Sequence, residues 1–308
     1  MITVVGSIAF DSVKTPFGAR ERMLGGAATH FALAASFFDE VRVVGPVGDD
    51  FDEAAYAVLR TRGTDTGDVE HVLGGKSFFW AGEYGWDLNS RETLDTQLGV
   101  FESFQPKLSP RSREADVLFL ANIQPDLQRG VRRQCESARF VALDSMDLWI
   151  ETARDSLLET IAVVDCVILN DAELRQLTGR PNLVSAAREL LGWGPSVVVA
   201  KQGEYGATLV TADSFFALPA YPLETVVDPT GAGDSFAGGF LGYLAQAGDV
   251  DQMTLRQAMA YGTVLASFNV EDFGTERVAS LGSEAIQERV AELIGFTQVS
   301  AAMAELRG

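Results

Sequence analysis

The chain has 308 residues, of which 47% are hydrophobic, enough to bury one large core. Its formal charge is −19, from 24 basic and 43 acidic residues, which argues against a nucleic-acid-binding surface because phosphate binding needs a basic face. Two cysteines and no Cys/His cluster indicate neither a disulfide framework nor structural zinc. The N-terminus lacks a basic stretch, and no apolar run approaches membrane-spanning length, so we expect a cytoplasmic protein without membrane contact.

Short β-branched runs alternate with helical patterns along most of the chain. Each run is apolar on both faces, which is typical of a buried parallel sheet with helices on both sides, an α/β fold. Ligands of such sheets bind beyond the carboxyl ends of the strands. A β-hairpin is expected after residue 206, and helices at about 254–268 and 283–294 close the fold. The strand candidates in chain order are residues 2–6, 41–45, 116–121, 139–144, 165–170 and 196–201.

Two segments depart from this alternation. Residues 8–20 are short and turn-rich, and residues 70–100 contain the aromatic run FFWAGEYGWD, which has strand character. Together they predict a small β-sheet lid over the strand ends, and its exposed aromatic residues make a homodimer through the lid reasonable. Trp80, Tyr84 and Trp86 either stack on a substrate ring or pack the lid itself.

The segment DPTGAGDSFAGGF, residues 228–240, places a glycine turn before a run of small apolar residues. It is not a dinucleotide fingerprint, because Phe236 stands where the third glycine belongs, and the chain has no GxxxxGK[ST] phosphate loop. A helix N-terminus carries unpaired N–H groups and partial positive charge, so the turn at 231–233 is the phosphate-binding candidate. Asp234 is then either a helix cap or a group that does chemistry beside a bound phosphate.

This segment resembles the C-terminal signature of the ribokinase-like (pfkB-type) carbohydrate kinase family. The tract LGGAATHFALAASFF at 24–38 resembles the family's N-terminal signature, and residues 43–66 are similar to its glycine–aspartate segment. NDAE at 170–173 and VVVAKQGEYGATLV at 197–210 follow in the family's order. The resemblance covers nearly the whole chain. It implies a single ribokinase-like domain over residues 1–308, built as a three-layer sandwich with a mostly parallel sheet and the small β-sheet lid.

The resemblance also implies a catalytic centre. Asp234 would accept the proton of a substrate hydroxyl as that oxygen attacks the γ-phosphoryl group of ATP. The backbone amides of Gly231, Ala232 and Gly233, together with the helix dipole, would stabilise charge on the phosphoryl oxygens.

On the nucleotide side, the family's Asn-x-x-Glu pattern falls on Asn170 and Glu173, which it associates with Mg²⁺ and the ATP phosphates, through water. The alternative is an asparagine cap followed by a first-turn acid. Lys201 would offset phosphate charge if it turns inward. A possible monovalent-cation site, for K⁺, borders Asp228. The remaining nucleotide-binding candidates are Gly203, Gly206 and Thr230.

On the acceptor side, Asp11 follows the first strand, where family members use an acid to bind sugar hydroxyls. Gly25 and Gly26 would lie beneath the lid and approach the substrate. His30 stands where the family more commonly has asparagine, so a substrate contact and a buried core histidine both remain open. Asn122, after the third strand candidate in chain order, is a further polar contact.

These features predict an ATP- and Mg²⁺-dependent kinase that phosphorylates a hydroxyl of a small sugar or related polyol. A nucleoside or an inositol is the alternative acceptor. An alternative of another class is a catalytically silent sensor of a sugar or nucleotide, which the retained Asp234 and intact GAGD turn disfavour.

Overall fold

The computed structural model describes residues 1–298 as one large sheet, one small sheet and twelve α-helices. No helix in that range is long and apolar enough to cross a lipid bilayer. The strands are β1 Ile2–Val5, β2 Ala9–Thr15, β3 Gly18–Gly25, β4 Val41–Gly48, β5 Asp65–Val72, β6 Phe78–Tyr84, β7 Arg91–Gln97, β8 Val117–Leu120, β9 Phe140–Asp144, β10 Cys166–Asn170, β11 Val197–Lys201, β12 Ala207–Val210 and β13 Phe215–Leu218. The helices are α1 Ala27–Ala35, α2 Glu53–Leu59, α3 Pro110–Arg113, α4 Pro125–Gln134, α5 Asp147–Thr152, α6 Arg154–Ile161, α7 Asp171–Thr178, α8 Leu183–Leu191, α9 Ala232–Ala247, α10 Gln252–Asn269, α11 Glu276–Ser280 and α12 Ser283–Thr297.

The large sheet has nine strands in the order β13-β12-β11-β10-β9-β8-β1-β4-β5. Every pair from β11 to β5 is parallel, whereas β12 and β13 pair antiparallel at one edge. The six strands expected from the sequence all belong to this sheet, and the expected hairpin forms β12 and β13. The prediction of a mostly parallel α/β sheet is therefore confirmed.

Successive side chains of the parallel strands enter two different cores, because neighbouring Cβ atoms of a strand point to opposite faces. Val4 of β1 and Phe119 of β8 join the core that contains residues of α1, α9 and α10. Val5 and Leu120 join the core that contains residues of α4, α6, α7 and α8. A central sheet between two helical layers results, so the three-layer arrangement is also confirmed.

Helix α9 packs closely against α1 and α10. A Cβ on Gly238 would lie 2.5 Å from the carbonyl oxygen of Phe31 and 2.7 Å from the Cβ of Ala34. The run of small residues after the glycine turn thus allows α9 to approach α1. This packing determines where the N-terminus of α9 lies.

The small sheet has four strands in the order β3-β2-β6-β7. Its hairpins β2–β3 and β6–β7 are antiparallel, and β2 pairs parallel to β6 between them. The sequence predicts this sheet, although its first hairpin continues to Gly25 rather than ending at residue 20. Residues 70–72 belong to β5 and hence to the large sheet.

Candidate active site

Three parallel neighbours, β9, β10 and β11, end in Asp144, Asn170 and Lys201. Asn170 pairs in register with Lys201, and Asp144 pairs with Ile168, two residues earlier on β10. The carboxyl ends of these strands therefore bring a carboxylate, an amide and an ammonium group to one edge of the sheet, where α/β proteins bind their ligands.

Lys201 turns inward and forms an ion pair with Asp144, with 3.2 Å between Nζ and Oδ2. Both side chains are largely buried. Burial opposes the charge of Lys201, but Asp144, Glu173 and Asp234 outweigh that effect and raise its pKa. Lys201 is thus a permanent cation within the site. Asp144 is not among the site residues expected from the sequence, where its position at the end of a strand is the only signal for it.

The glycine turn leads directly into α9, and Gly231 is the N-cap residue with φ +76°. This left-handed conformation favours glycine. A Cβ on Gly231 would also collide with the imidazole ring of His30, and one on Gly233 would lie 2.8 Å from Lys201 Nζ. The first turn of α9 therefore lies against the histidine on one side and the lysine ammonium on the other.

The amides of this turn are not equivalent. The N–H of Ala232 donates to the carbonyl of Pro229 at 3.2 Å, so it is already used within the turn. Within residues 1–298, the N–H groups of Gly231 and Gly233 have no protein acceptor. Two free amides, the helix dipole and the Lys201 ammonium together give this turn a positive potential that suits an anion.

A buried network supports the turn from below. Asn269 donates from Nδ2 to the Thr230 carbonyl at 2.7 Å, and its Oδ1 accepts from Ser235 Oγ at 2.9 Å. His30 Nδ1 lies 3.0 Å from the same Oδ1, so Nδ1 carries the proton. Burial lowers the pKa of His30, which keeps the ring neutral. Nε2 is then an acceptor, and it has no partner among the described residues.

Asp234 lies in the first turn of α9. Burial, together with the charge of Asp144, raises its pKa to about 7, while Lys201 opposes the rise. A carboxyl group with a pKa near neutrality can accept and return a proton at physiological pH.

Asn170 and Glu173 form a complete capping box at the start of α7. Asn170 Oδ1 accepts from the Glu173 amide at 2.8 Å, and Glu173 Oε2 accepts from the Asn170 amide at 2.9 Å. The helix-capping role, which the sequence offered as the alternative for these two residues, is therefore observed. Burial and then Asp144 raise the pKa of Glu173. Its Oε1 has no hydrogen-bond partner in the part of the chain that is described, which leaves one oxygen for a ligand.

Asp228 and Thr230 lie just before the glycine turn, and their hydrogen bonds fix the backbone there. The fully buried Asp228 accepts from the amides of Thr230 and Gly274, at 2.9 and 3.0 Å. Thr230 Oγ1 donates to Tyr84 Oη of β6 at 3.2 Å. Both residues are thus engaged within the protein, and a potassium contact at Asp228 stays a prediction.

A cavity of about 460 Å³ lies beside Lys201 and the first turn of α9. This volume suits a small organic ligand. Its walls come from the β11–β12 turn, which includes Gly203 and Gly206, and from α10. Other lining residues are Tyr221, Pro222, Leu223, Val226, Pro229, Thr263, Ala266 and Val270.

Asp11 of β2 is buried on the other side of the glycine turn. Its carboxylate lies against the Cα of Gly25, where a Cβ would collide with it, and the backbone amide of Gly26 favours its charged form. Burial and then the charge of Asp228 raise the pKa of Asp11 to about 7, and Asp234 adds to the rise. The structure thus brings Asp11, Gly25 and Gly26 together.

Asn122 follows β8 and contacts two residues of the neighbouring loop and helix. Its Oδ1 accepts from Trp149 Nε1 at 2.9 Å, and its Nδ2 lies 3.0 Å from Met146 Sδ. Both ends of the amide are therefore engaged, and a substrate contact of Asn122 stays a prediction. Trp86 is 88% exposed, so it does not pack within the small sheet.

Known proteins resemble the chain in sequence. A family model described as pfkB family carbohydrate kinase matches residues 101–280. The chain is 33% identical over 247 residues to a cytidine kinase of Thermococcus kodakarensis, covering 78% of this chain and 87% of that protein. It is 36% identical over 261 residues to a deoxyribokinase of Salmonella typhi, covering 82% of each.

Solved structures share the fold. A nucleoside kinase of Methanocaldococcus jannaschii, described as an archaeal member of the ribokinase family, superposes with a TM-score of 0.78 at 20% identity. The superposition covers 94% of this chain and 98% of that one. Together with the family model and the two sequence relatives, it leads to one conclusion: the chain belongs to the pfkB family of carbohydrate kinases and is a phosphotransferase.

Proposed function

We propose that this kinase transfers the γ-phosphoryl group of ATP to a hydroxyl of a small molecule that carries a pentose, with Asp234 as the general base. One observation carries the proposal: the half-buried carboxylate of Asp234 lies at a helix N-terminus that also holds two free amides and a lysine ammonium. Its surroundings raise the pKa of this carboxyl group to about 7. Proton acceptor and anion site thus lie within one helical turn.

Different groups of the protein would carry out different parts of the phosphoryl transfer. Asp234 takes the proton as the acceptor oxygen attacks, which avoids a charged alcohol in the transition state. The amides of Gly231 and Gly233 and the Lys201 ammonium stabilise negative charge on the transferring phosphoryl oxygens. Asp144 holds Lys201 in place and acts as a positioning residue.

Mg²⁺ fits the remaining oxygens beside this site. It takes oxygen ligands and keeps several waters, so a site needs only one or two protein groups. Glu173 Oε1 and Asn170 Oδ1 would hold it through water, in keeping with the absence, within residues 1–298, of any cluster of three or more His, Cys, Asp or Glu. Mg²⁺ held there would neutralise phosphate charge.

The acceptor class rests on the relatives. Cytidine contains ribose, and deoxyribokinase acts on deoxyribose by name, so both similar proteins take a pentose or its nucleoside. Asp11 supports this class, because a carboxylate accepts hydrogen bonds from two neighbouring hydroxyls. The whole chain would form one domain, with the small sheet as the lid that excludes water. We place this enzyme in the cytoplasm, because its proposed reaction uses ATP.

A coupled ADP-release assay over cytidine, ribose, 2-deoxyribose, fructose and myo-inositol tests the proposal. We expect the highest kcat/KM with a pentose or nucleoside. A clear preference for fructose or inositol would contradict the acceptor class. ADP binding without turnover on any acceptor would favour the silent sensor instead.

A further inference from the structure

The tip of the β6–β7 hairpin, residues 85–90, extends from the small sheet to the nucleotide-side cavity. Asp87, Leu88 and Asn89 line this cavity together with Lys201 and Gly203. The hairpin therefore contributes residues on the donor side of the site, although a lid is expected to cover the acceptor.

A compact turn fixes the tip. Gly85 donates to the Ser90 carbonyl at 2.9 Å, and the Leu88 amide donates to the Gly85 carbonyl at 3.0 Å. Asp87 Oδ1 accepts from the Asn89 amide at 3.2 Å. Leu88 has φ +58°, a conformation that leucine rarely adopts. The turn thus holds Leu88 partly buried at the cavity while its neighbour Trp86 is exposed.

The hairpin also contacts both walls of the donor site. Asn89 Nδ2 lies 3.5 Å from Glu204 Oε1 in the β11–β12 turn. At the base of the tip, Tyr84 accepts the hydrogen bond from Thr230 in the glycine turn. These contacts place the hairpin between the two loops that surround the cavity.

We propose that the hairpin tip is part of the ATP site, with Leu88 packing on the bound nucleotide and Asn89 offering its amide to it. The inference rests on the proposed function, because it takes the cavity to hold ATP. The apolar side chains that line the cavity, such as Leu223 and Val226, leave an apolar surface for Leu88 to complete. Donor binding then orders the same hairpin that covers the acceptor.

Two measurements with ADP as the probe test this, and neither needs the acceptor. In hydrogen–deuterium exchange, saturating ADP is expected to slow the amides of residues 85–90 by roughly fivefold or more. By calorimetry, Leu88→Ala is expected to raise the ADP Kd about fivefold. Leu94→Ala is the matched control, because Leu94 is an exposed leucine of the same hairpin away from the cavity; its Kd should match the unmodified enzyme.

The outcomes separate this inference from the proposed function. Unchanged exchange at 85–90 under saturating ADP, with equal Kd values for Leu88→Ala and Leu94→Ala, overturns the role of the tip and leaves the kinase site intact. Failure of the unmodified enzyme to bind ADP at all overturns both.

Discussion

Gly231 meets two independent demands at the start of α9. Its φ of +76° favours glycine, and His30 occupies the space where any side chain would begin. The ring has little freedom to move away, because it is buried and hydrogen-bonded to Asn269. Because even the methyl group of an alanine would collide with His30, the free amides keep their position only while residue 231 is glycine.

We expect Gly231→Ala to lower kcat on the order of 100-fold or more, because a displaced turn moves the donors that stabilise the phosphoryl charge. Steady-state kinetics measures this. Gly130→Ala in α4 is the matched control, since a Cβ there meets nothing within 4 Å; it should keep full activity and an equal or higher Tm. A Gly231→Ala enzyme with wild-type kcat would contradict the account.

The glycine turn before α9 could be located from the sequence, but the partners of the residues around it could not. Lys201 and Asp144 are 57 residues apart, and His30 and Asn269 are 239 apart. Such pairs depend on strand register and helix packing, which single-chain patterns do not contain. The engagement of the Ala232 amide with Pro229 also depends on the local turn geometry.

At the level of elements, α7 shows how one feature can serve two roles. Its capping box stabilises the helix start, and the same two side chains are the candidates for holding Mg²⁺ through water. The two roles are separable, because the cap needs only an acceptor oxygen whereas the cation needs the charge.

Glu173→Gln tests the second role. Glutamine can still accept from the Asn170 amide, so the Tm should change by less than about 2 °C. Loss of the carboxylate should raise the Mg²⁺ concentration for half-maximal activity by roughly tenfold. Titration of MgCl₂ at fixed ATP measures this, with Glu53→Gln in the first turn of α2 as a control. An unchanged Mg²⁺ dependence would leave Glu173 as a cap alone.

The elements themselves were largely predictable. Strands that are buried on both faces appear as continuous apolar runs, and all six such runs are strands of the large sheet. The small sheet was harder to delimit, because β3 contains Arg20, Glu21 and Arg22 and is mostly exposed. The approach of residues 87–89 to the cavity beside Lys201 could not be predicted, since it depends on how the two sheets meet.

At the scale of the whole molecule, the site concentrates buried carboxylates, a cost in stability that function requires. Asp11 and Asp234 both have pKa values raised to about 7, chiefly by burial. A carboxyl group with a higher pKa in the folded state binds more protons there than in the unfolded chain. These groups therefore make the free enzyme more stable as the pH falls from about 7 towards 4.

Asp11→Asn should expose this trade-off. Asparagine has nearly the same shape as aspartate but no buried charge, so at pH 8 we expect a Tm higher by roughly 3 °C or more. The difference should shrink as the pH falls below about 7, because Asp11 then becomes protonated in the folded protein. Thermal unfolding from pH 5 to 8 measures this; a constant difference would contradict it. Activity should also fall, because we propose that Asp11 binds the acceptor.

The proposed mechanism depends above all on Asp234 accepting the proton of the acceptor hydroxyl. Its most direct test compares kcat for phosphoryl transfer with the Kd for ADP in Asp234→Asn, beside Asp213→Asn, an exposed aspartate of the β12–β13 turn. If Asp234 is the general base, Asp234→Asn should lower kcat at least about 1000-fold and bind ADP as tightly as before or more tightly. Asp213→Asn should change neither quantity. Turnover of Asp234→Asn close to that of the unmodified enzyme would contradict it.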